Sequence, residues 1–184
     1  QHIGISRTPV REAVIQLSEE SRIIEIFPQR GMRIALIDVE LVEEARFLRL
    51  VLEKAAAELV CDMAGEEDLA WLEENIMLQE FYMERGSSGK LLDLDNEMHR
   101  KLFTICKKEL TYNMCQRLAV HYDRIRSLSV AMVKDYKIIE DHKKLLQALK
   151  ARDKHLAVDT MDKHLNRWMM NEQMFRAQYP QYFK

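Results

Sequence analysis

From Asp38 to the C-terminus the chain carries no alternating run that reads as a β-strand. Apolar residues instead return every three or four positions, the spacing of one face of an α-helix. Punctuation is sparse, with five Gly and three Pro in 184 residues. Long helices joined by short turns are therefore the expected architecture. The periodicity predicts helices over about 38–63, 66–84, 90–107, 110–132, 135–151 and 153–177. Asp38 is the expected N-cap of the first, and Ala64-Gly65 its stop. Its inward stripe is read as Leu41, Ala45, Leu48, Leu52, Ala56, Leu59 and Met63. The second helix turns Leu69, Leu72, Ile76 and Phe81 or Met83 inward, and Gly86-Ser87-Ser88-Gly89 is a loop. The fold class is mainly α, with residues 38–184 forming an all-α bundle of about six helices.

The first 37 residues differ. Residues 6–20 read as a short helix with Ser6 as its N-cap, the hydroxyl accepting a backbone N–H. Pro9 falls in the first turn, where its missing N–H costs little. Val10, Ala13, Val14 and Leu17 give one apolar face. Ser6, Arg7, Thr8 and Arg11 collect at the N-terminal end. Hydroxyls and guanidinium groups at one tip, with an apolar back, suit a helix that enters the major groove of DNA. A capped surface helix has the same spacing. Ile23 to Phe27 and Met32 to Ile37 are β-prone runs around Pro28-Gln29-Arg30-Gly31. They predict a hairpin with Gly31 supplying a permissive φ and Arg30 at its tip.

Charge and composition limit the partners. The net charge is −2, so any DNA binding has to come from a local basic face. No apolar run reaches membrane-spanning length and no signal peptide is visible, so no membrane partner is expected. Cys61, Cys106 and Cys115 have no paired spacing, which fits reduced thiols and a cytoplasmic protein.

Projecting the bundle helices at about 100° per residue turns several titratable groups inward. On 90–107, Asp95 and His99 lie at the edge of the face made by Leu91, Leu94, Met98, Leu102 and Ile105. On 135–151, His142 sits amid Ile138, Leu145, Leu146 and Leu149. On 153–177, His164 joins Ala157, Met161, Trp168 and Phe175. A lone inward His is ordinarily a hydrogen-bonded core residue. Three of them with an Asp are costly to bury unless they share a partner, and a divalent cation is one. Imidazoles plus one carboxylate suit zinc or nickel, with manganese or iron also possible. His155 and Asp159 project to the opposite, solvated side, and His121 lies at the border of its helix's apolar face as a structural or cavity-lining residue. Arg49 flanks the long helix's stripe, with Arg46 pointing further outward. It is either an edge Arg pairing with Glu53 at i+4 or a guanidinium at a cavity wall, forked to receive a carboxylate.

Ser6-Arg7-Thr8-Pro9-Val10-Arg11-Glu12-Ala13-Val14, followed by Pro28-Gln29-Arg30-Gly31, closely resembles the winged helix-turn-helix of the GntR family of bacterial transcription regulators. Where the family usually has Glu-Gly, this chain has Glu20-Ser21-Arg22, one residue longer before the wing. The helical part resembles the FCD effector-binding domain of the FadR-like branch. Asp95-Asn96-Glu97-Met98-His99, Asp141-His142 and His164-Leu165 match its metal-binding type in kind and order, and Arg49-Leu50-Val51-Leu52-Glu53 answers its Arg-x-x-Leu-Glu.

The resemblance implies that Arg7, Thr8 and Arg11, with Ser6 beside them, contact phosphates and bases, while Arg30 and Gly31 reach the minor groove. It implies metal at Asp95, His99, His142 and His164, and a small organic acid as effector at Arg49. Residues 1–37 would be a partial DNA-binding domain, with Gln1-His2-Ile3-Gly4-Ile5 as the end of a preceding helix. Residues 38–184 would be the effector and dimerisation domain. The function expected is a DNA-binding regulator, a repressor, acting as a homodimer on operator DNA. Phe47 and Val51, off the main stripe, are candidates for the subunit interface. Two other uses of a metal stay open at this point: a metal-dependent hydrolase of a small carboxylate, or a purely structural ion. No HExxH motif is present and Glu97 points away from His99, so an enzyme is not expected.

Overall fold

The computed structural model describes residues 4, 6–132, 136–167 and 172–184. The expected helix end at Gln1–Ile5 falls almost wholly outside them, as do position 135 and Trp168.

Helix α1 (Arg7–Glu20) buries no residue. Ser6 stands at its N-cap in extended backbone, but its hydroxyl makes no capping bond, contrary to expectation. Strands β1 (Ile24–Phe27) and β2 (Gly31–Ile34) form an antiparallel hairpin, pairing Ile24 with Ile34 and Phe27 with Gly31. The turn uses left-handed backbone at Gln29 (φ 62°) and Gly31 (φ 100°). Gly31 pays no steric penalty there. Arg22, at the extra position before the wing, is also left-handed (φ 53°).

The hairpin ends earlier than the sequence suggests. Ile37 pairs instead with the C-terminus: its N–H donates to the Tyr182 carbonyl (2.7 Å) and its carbonyl accepts from Lys184 (3.0 Å). Ile37 is drawn there by burial. With Val42, Ala45, Tyr122, Ile125, Phe175 and Phe183 it makes a small second core.

Helix α2 (Val39–Met63) begins at Asp38, whose carboxylate accepts the Glu40 N–H at 3.1 Å. The helix touches α4 (Ser88–Ile105), α5 (Glu109–Leu118), α6 (Val120–Met132), α7 (Lys137–Lys150) and α8 (Lys154–Asn166). Helix α3 (Glu66–Glu84) packs on α4 and α7. A seven-residue α9 (Glu172–Gln178) and a 3₁₀ turn (Pro180–Tyr182) close the chain. Two predicted helices are thus divided. The 110–132 segment breaks at Ala119, whose N–H turns to the Gln116 carbonyl in a tighter i to i+3 bond. The 153–177 segment becomes α8 and α9. Helix α2 stops at Ala64-Gly65 as expected, and Arg152 donates to the carbonyls of Cys61 and Ala64 at 2.7 Å each.

The inward face of α2 is also rotated from the expected stripe. Leu59 and Met63 are exposed, while the buried line reads Val42, Ala45, Arg49, Glu53, Ala56, Ala57 and Val60. Hydrophobic periodicity misplaced the face because two charged residues occupy its centre. Among the described residues, no helix is long and apolar enough to cross a membrane.

Candidate metal centre

Three helices deliver four side chains to one point. Asp95 and His99 lie one turn apart on α4, His142 comes from α7 and His164 from α8; their ligand atoms all fall within 4.8 Å of one another. The Nε2 of His164 is 3.2 Å from that of His99 and 3.4 Å from that of His142. Asp95 carboxylate oxygens stand 3.8 Å from His99 Nε2 and 3.5 Å from His142 Nε2.

The tautomers follow from what lies behind each ring. The Leu94 carbonyl can only accept, so Asn75 donates to it through Nδ2 at 3.1 Å. Asn75 Oδ1 then accepts from Gln79 Nε2 at 2.7 Å, which leaves Gln79 Oε1 facing His142 Nδ1 at 2.8 Å. His142 must therefore carry its proton on Nδ1 and direct the Nε2 lone pair into the site. Glu53 Oε2 lies 2.5 Å from His99 Nδ1 and orients that ring the same way, while Asp141 Oδ2 stands 3.8 Å from His164 Nδ1, beyond hydrogen-bond reach. The Nε2 atoms of His99 and His142 both close on that of His164 in a buried site, an arrangement that a cation between them relieves.

The donor set fits such an ion. Around a zinc- or nickel-sized cation with nitrogens at about 2.0–2.1 Å, neighbouring donors stand roughly 3.0–3.4 Å apart. The charge states fit as well. Burial alone would raise the Asp95 pKa, but Arg126 and the three histidines outweigh it and hold the carboxyl well below its usual range. Burial alone would likewise raise Glu53; Arg49 and His99 bring it far down. Burial and the neighbouring His164 push His142 well below 6.5, and burial lowers His164 too. Ionised carboxylates and neutral imidazoles are the forms that ligate a metal.

A cavity of about 60 Å³ opens beside the cluster, lined by Arg49, Asp95, Tyr122, Arg126, His164 and Arg167 among others. Arg49 is fully buried. Its Nε donates to Glu53 at 2.6 Å and its guanidinium sits 5.1 Å from the Tyr122 ring centroid. Its Nη1 has no hydrogen-bond partner among the described residues. Arg126 pairs with Asp95 and, at 2.7 Å, with Asp123; Arg167 pairs with Asp141.

Glu53, Gln79, Arg126, Asp141 and Arg167 escaped the sequence reading as site residues. Gln79 had a signal: it falls on the same helical face as Leu72, Ile76 and Met83, where an amide is out of place. Glu53 had a weaker one, as Arg49's i+4 partner. Arg126 had only the neighbouring Asp123 at i−3, and Arg167 had no signal, because Asp95 and Asp141 are distant from them in sequence.

Helix α6 connects this cavity to the N-terminal segment. Tyr122 and Arg126 face the cavity. His121, expected as structural or cavity-lining, is structural: its Nδ1 accepts the Asp38 N–H at 3.3 Å and its Nε2 donates to the Arg22 carbonyl at 3.4 Å. Arg124 donates to the Ala35 carbonyl at 2.8 Å. His155 and Asp159 pair in solvent, as expected.

The DNA-directed candidates occupy the other end of the chain. Ser6, Arg7, Arg11 and Gly31 line an open apolar groove between α1 and the hairpin, and Thr8 and Arg30 are exposed outside it.

Residues 44–167 match the FCD domain family. The Escherichia coli HTH-type transcriptional repressor RspR is 29% identical over 98% of this chain and 79% of its own length. A Bacillus subtilis relative, the uncharacterised HTH-type regulator YdhC, is 26% identical over 89% of this chain and 73% of its own. Among solved structures, E. coli McbR/YncC superposes with a TM-score of 0.80 at 21% identity, covering 95% of this chain and 87% of that one, a likeness of fold. The buried Asp–His cluster, the helical bundle around it and these matches agree, and the chain belongs to the FCD-domain branch of the GntR family of transcriptional regulators.

Proposed function

We propose that this regulator is a repressor whose residues 1–37 bind operator DNA and whose residues 38–184 sense a small organic anion beside a divalent metal. Asp95, His99, His142 and His164 would hold the ion, zinc or nickel by donor type. The bound ion supplies coordination positions for an oxygen donor of the effector. The protein's own part is to orient the rings and present Arg49.

The observation that carries the anion reading is the unpartnered Nη1 of Arg49, buried in the cavity wall. A buried guanidinium donor without an acceptor is costly, and a carboxylate oxygen removes that cost. The charge balance agrees. Three guanidinium groups face four carboxylates around the cavity, Glu53, Asp95, Asp123 and Asp141. A divalent cation would turn that deficit into a single positive charge, matched by a small anion. A hydrolytic reading needs a base free to act, whereas Glu53, Asp95 and Asp141 are each held by an arginine.

Ser6, Arg7, Thr8 and Arg11 would read the major groove, with Arg30 and Gly31 at the wing. A homodimer on two half-sites supplies the affinity that one short helix lacks. Effector in the cavity would move α6, and with it the bonds that His121 and Arg124 make to Arg22, Asp38 and Ala35, releasing DNA. The effector acts only through a difference in affinity between two arrangements. The repressor sense rests on the name of the RspR relative.

The test pairs elemental analysis with thermal shift. The purified protein should carry stoichiometric metal, and one of acetate, lactate, malate or citrate should raise its Tm. Saturation at a hundredfold over Kd corresponds to about 2.7 kcal/mol. Arg49→Ala should keep the metal and lose the shift. Stoichiometric metal in the His142→Ala, His164→Ala double variant would overturn the metal assignment. Metal without a response to any acid would make the ion structural.

A further inference from the structure

Among the described residues, five arginines are buried or half-buried: Arg46, Arg49, Arg124, Arg126 and Arg167. Four of them sit against a carboxylate, Arg46 with Glu43, Arg49 with Glu53, Arg126 with Asp95 and Arg167 with Asp141. Arg124 alone has no carboxylate at ion-pair distance among the described residues. Its hydrogen bond runs from Nη1 to the Ala35 carbonyl at 2.8 Å. Burial lowers its pKa, and no acidic neighbour raises it back. Asp38, three residues on from Ala35, is already engaged: its carboxylate caps α2 and accepts from Lys184 Nζ at 3.1 Å. A half-buried charge without a counter-charge is costly, and an anion removes the cost.

Arg124 forms one wall of a cavity of about 300 Å³ where the N-terminal segment meets the bundle, and Ile37, Ser127, Leu128 and Tyr182 line the rest. That volume lies at the lower end of small-molecule sites, about 300–1,000 Å³. No carboxylate lines it among the described residues. Ser127 lies three residues after Arg124 on the same face of α6, so its exposed hydroxyl stands beside the guanidinium. Ile37 and Leu128 supply apolar wall, and Tyr182 an aromatic ring that is 44% exposed. The backbone bonds of Ile37 to Tyr182 and Lys184 tie two sides of the cavity together. The metal centre lies on the other side of α6. Tyr122 and Arg126, which line the cavity there, are each two residues from Arg124, about 200° around the helix.

We infer that this junction cavity binds a small organic anion, a carboxylate carried on a flat apolar body, at a site distinct from the metal centre. The carboxylate pairs with Arg124 and Ser127, and the apolar body lies against Tyr182 and Leu128. An anion seated there touches Ile37 and the guanidinium that holds Ala35, both in the stretch between the hairpin and α2. The inference does not depend on what the metal-centred cavity holds.

Benzoate is the probe, with benzamide as its uncharged counterpart and acetate as the charge without the ring. Amide NMR of the full chain should show saturable shifts at Ile37, Ser127, Leu128 and Tyr182 with benzoate, and at least tenfold weaker binding of the other two. Arg124→Gln should lower benzoate affinity at least tenfold, and Arg124→Lys less. Ser127→Asp, at an exposed position, supplies the missing counter-charge from the protein itself. It should weaken benzoate at least tenfold with an unchanged circular dichroism spectrum, which separates the charge from the Ala35 contact that Arg124→Gln also disturbs. Saturable shifts confined to the surroundings of Arg49 and His164, no saturable shift with benzoate, or an affinity unaltered by Arg124→Gln and Ser127→Asp would each overturn the site. So would a wild type indifferent to benzoate whose operator binding weakens and loses salt dependence on Arg124→Gln, which would assign the guanidinium to a DNA phosphate.

Discussion

The two ends of the chain handle polar residues in opposite ways. In α1 and the hairpin, the arginines and hydroxyls stand in solvent, and no residue of α1 is buried. In the bundle, Arg49, Glu53, Gln79, His99 and His142 are buried, and Asp95 nearly so. An exposed group keeps its function only by being on a surface that a partner can reach. A buried one has to be held: Glu53 stands behind His99 and Gln79 behind His142, with Asp141 3.8 Å from His164. The contrast teaches that substitutions in the bundle should act on stability and on the metal together, while those in α1 should act on DNA alone.

The largest break in that contrast is expected at Glu53. Glu53→Ala leaves the Arg49 guanidinium buried without its counter-charge, a loss of about 3–5 kcal/mol by denaturant titration. Gln79→Ala should come next. It removes the acceptor that sets the His142 tautomer and should weaken metal binding about 10–100-fold in a competition titration, with a smaller stability loss. If Gln79→Ala left metal affinity unchanged, the relay from Leu94 through Asn75 would be structural only.

Acidification should sharpen the same comparison. His142 and His164 titrate below 6.5 in the fold, so the unfolded chain binds more protons than the folded one as pH falls. Stability of the metal-free protein should therefore be full above their unfolded pKa and decline progressively as pH drops below about 6.5. Burial lowers His121 too, which adds to the same trend. Bound metal should raise the Tm, by a difference that narrows toward acid pH as protons compete for the ring nitrogens.

The smallest stability change belongs to α1. Arg11→Ala should alter unfolding free energy by less than about 0.5 kcal/mol, because nothing packs on an exposed side chain. It should nevertheless weaken operator binding and flatten its salt dependence. A stability loss comparable to that of Glu53→Ala would show that α1 is held by contacts its exposure does not reveal.

Much of this molecule can be read along the chain where the signal is local. Helix periodicity found α2, α3, α4 and α7 nearly to their ends, because each depends on spacing within a few turns. It failed at Ala119, where one backbone N–H turns to an i to i+3 bond and a single apparent helix becomes two, both of which pack on α2 and α4. It failed again on α2, where an apolar stripe drawn through Leu59 and Met63 missed the true inward face. A charged pair at the centre of a buried face contradicts the rule that periodicity uses. Asp95, His99, His142 and His164 stood out because each is a titratable group on an apolar helical face, and the structure brings their ligand atoms together.

The chain therefore carried its class, its element order and its four inward polar residues in linear form, since helical spacing and residue chemistry need no knowledge of distant neighbours. Folding chose the rest. The acceptors behind His99 and His142, the arginines that hold Asp95 and Asp141 and the passage of Ile37 to the C-terminal strap all join residues far apart in sequence. Such pairings carry no spacing of their own. They arise when packed helices bring a buried charge within reach of the group that can offset its desolvation.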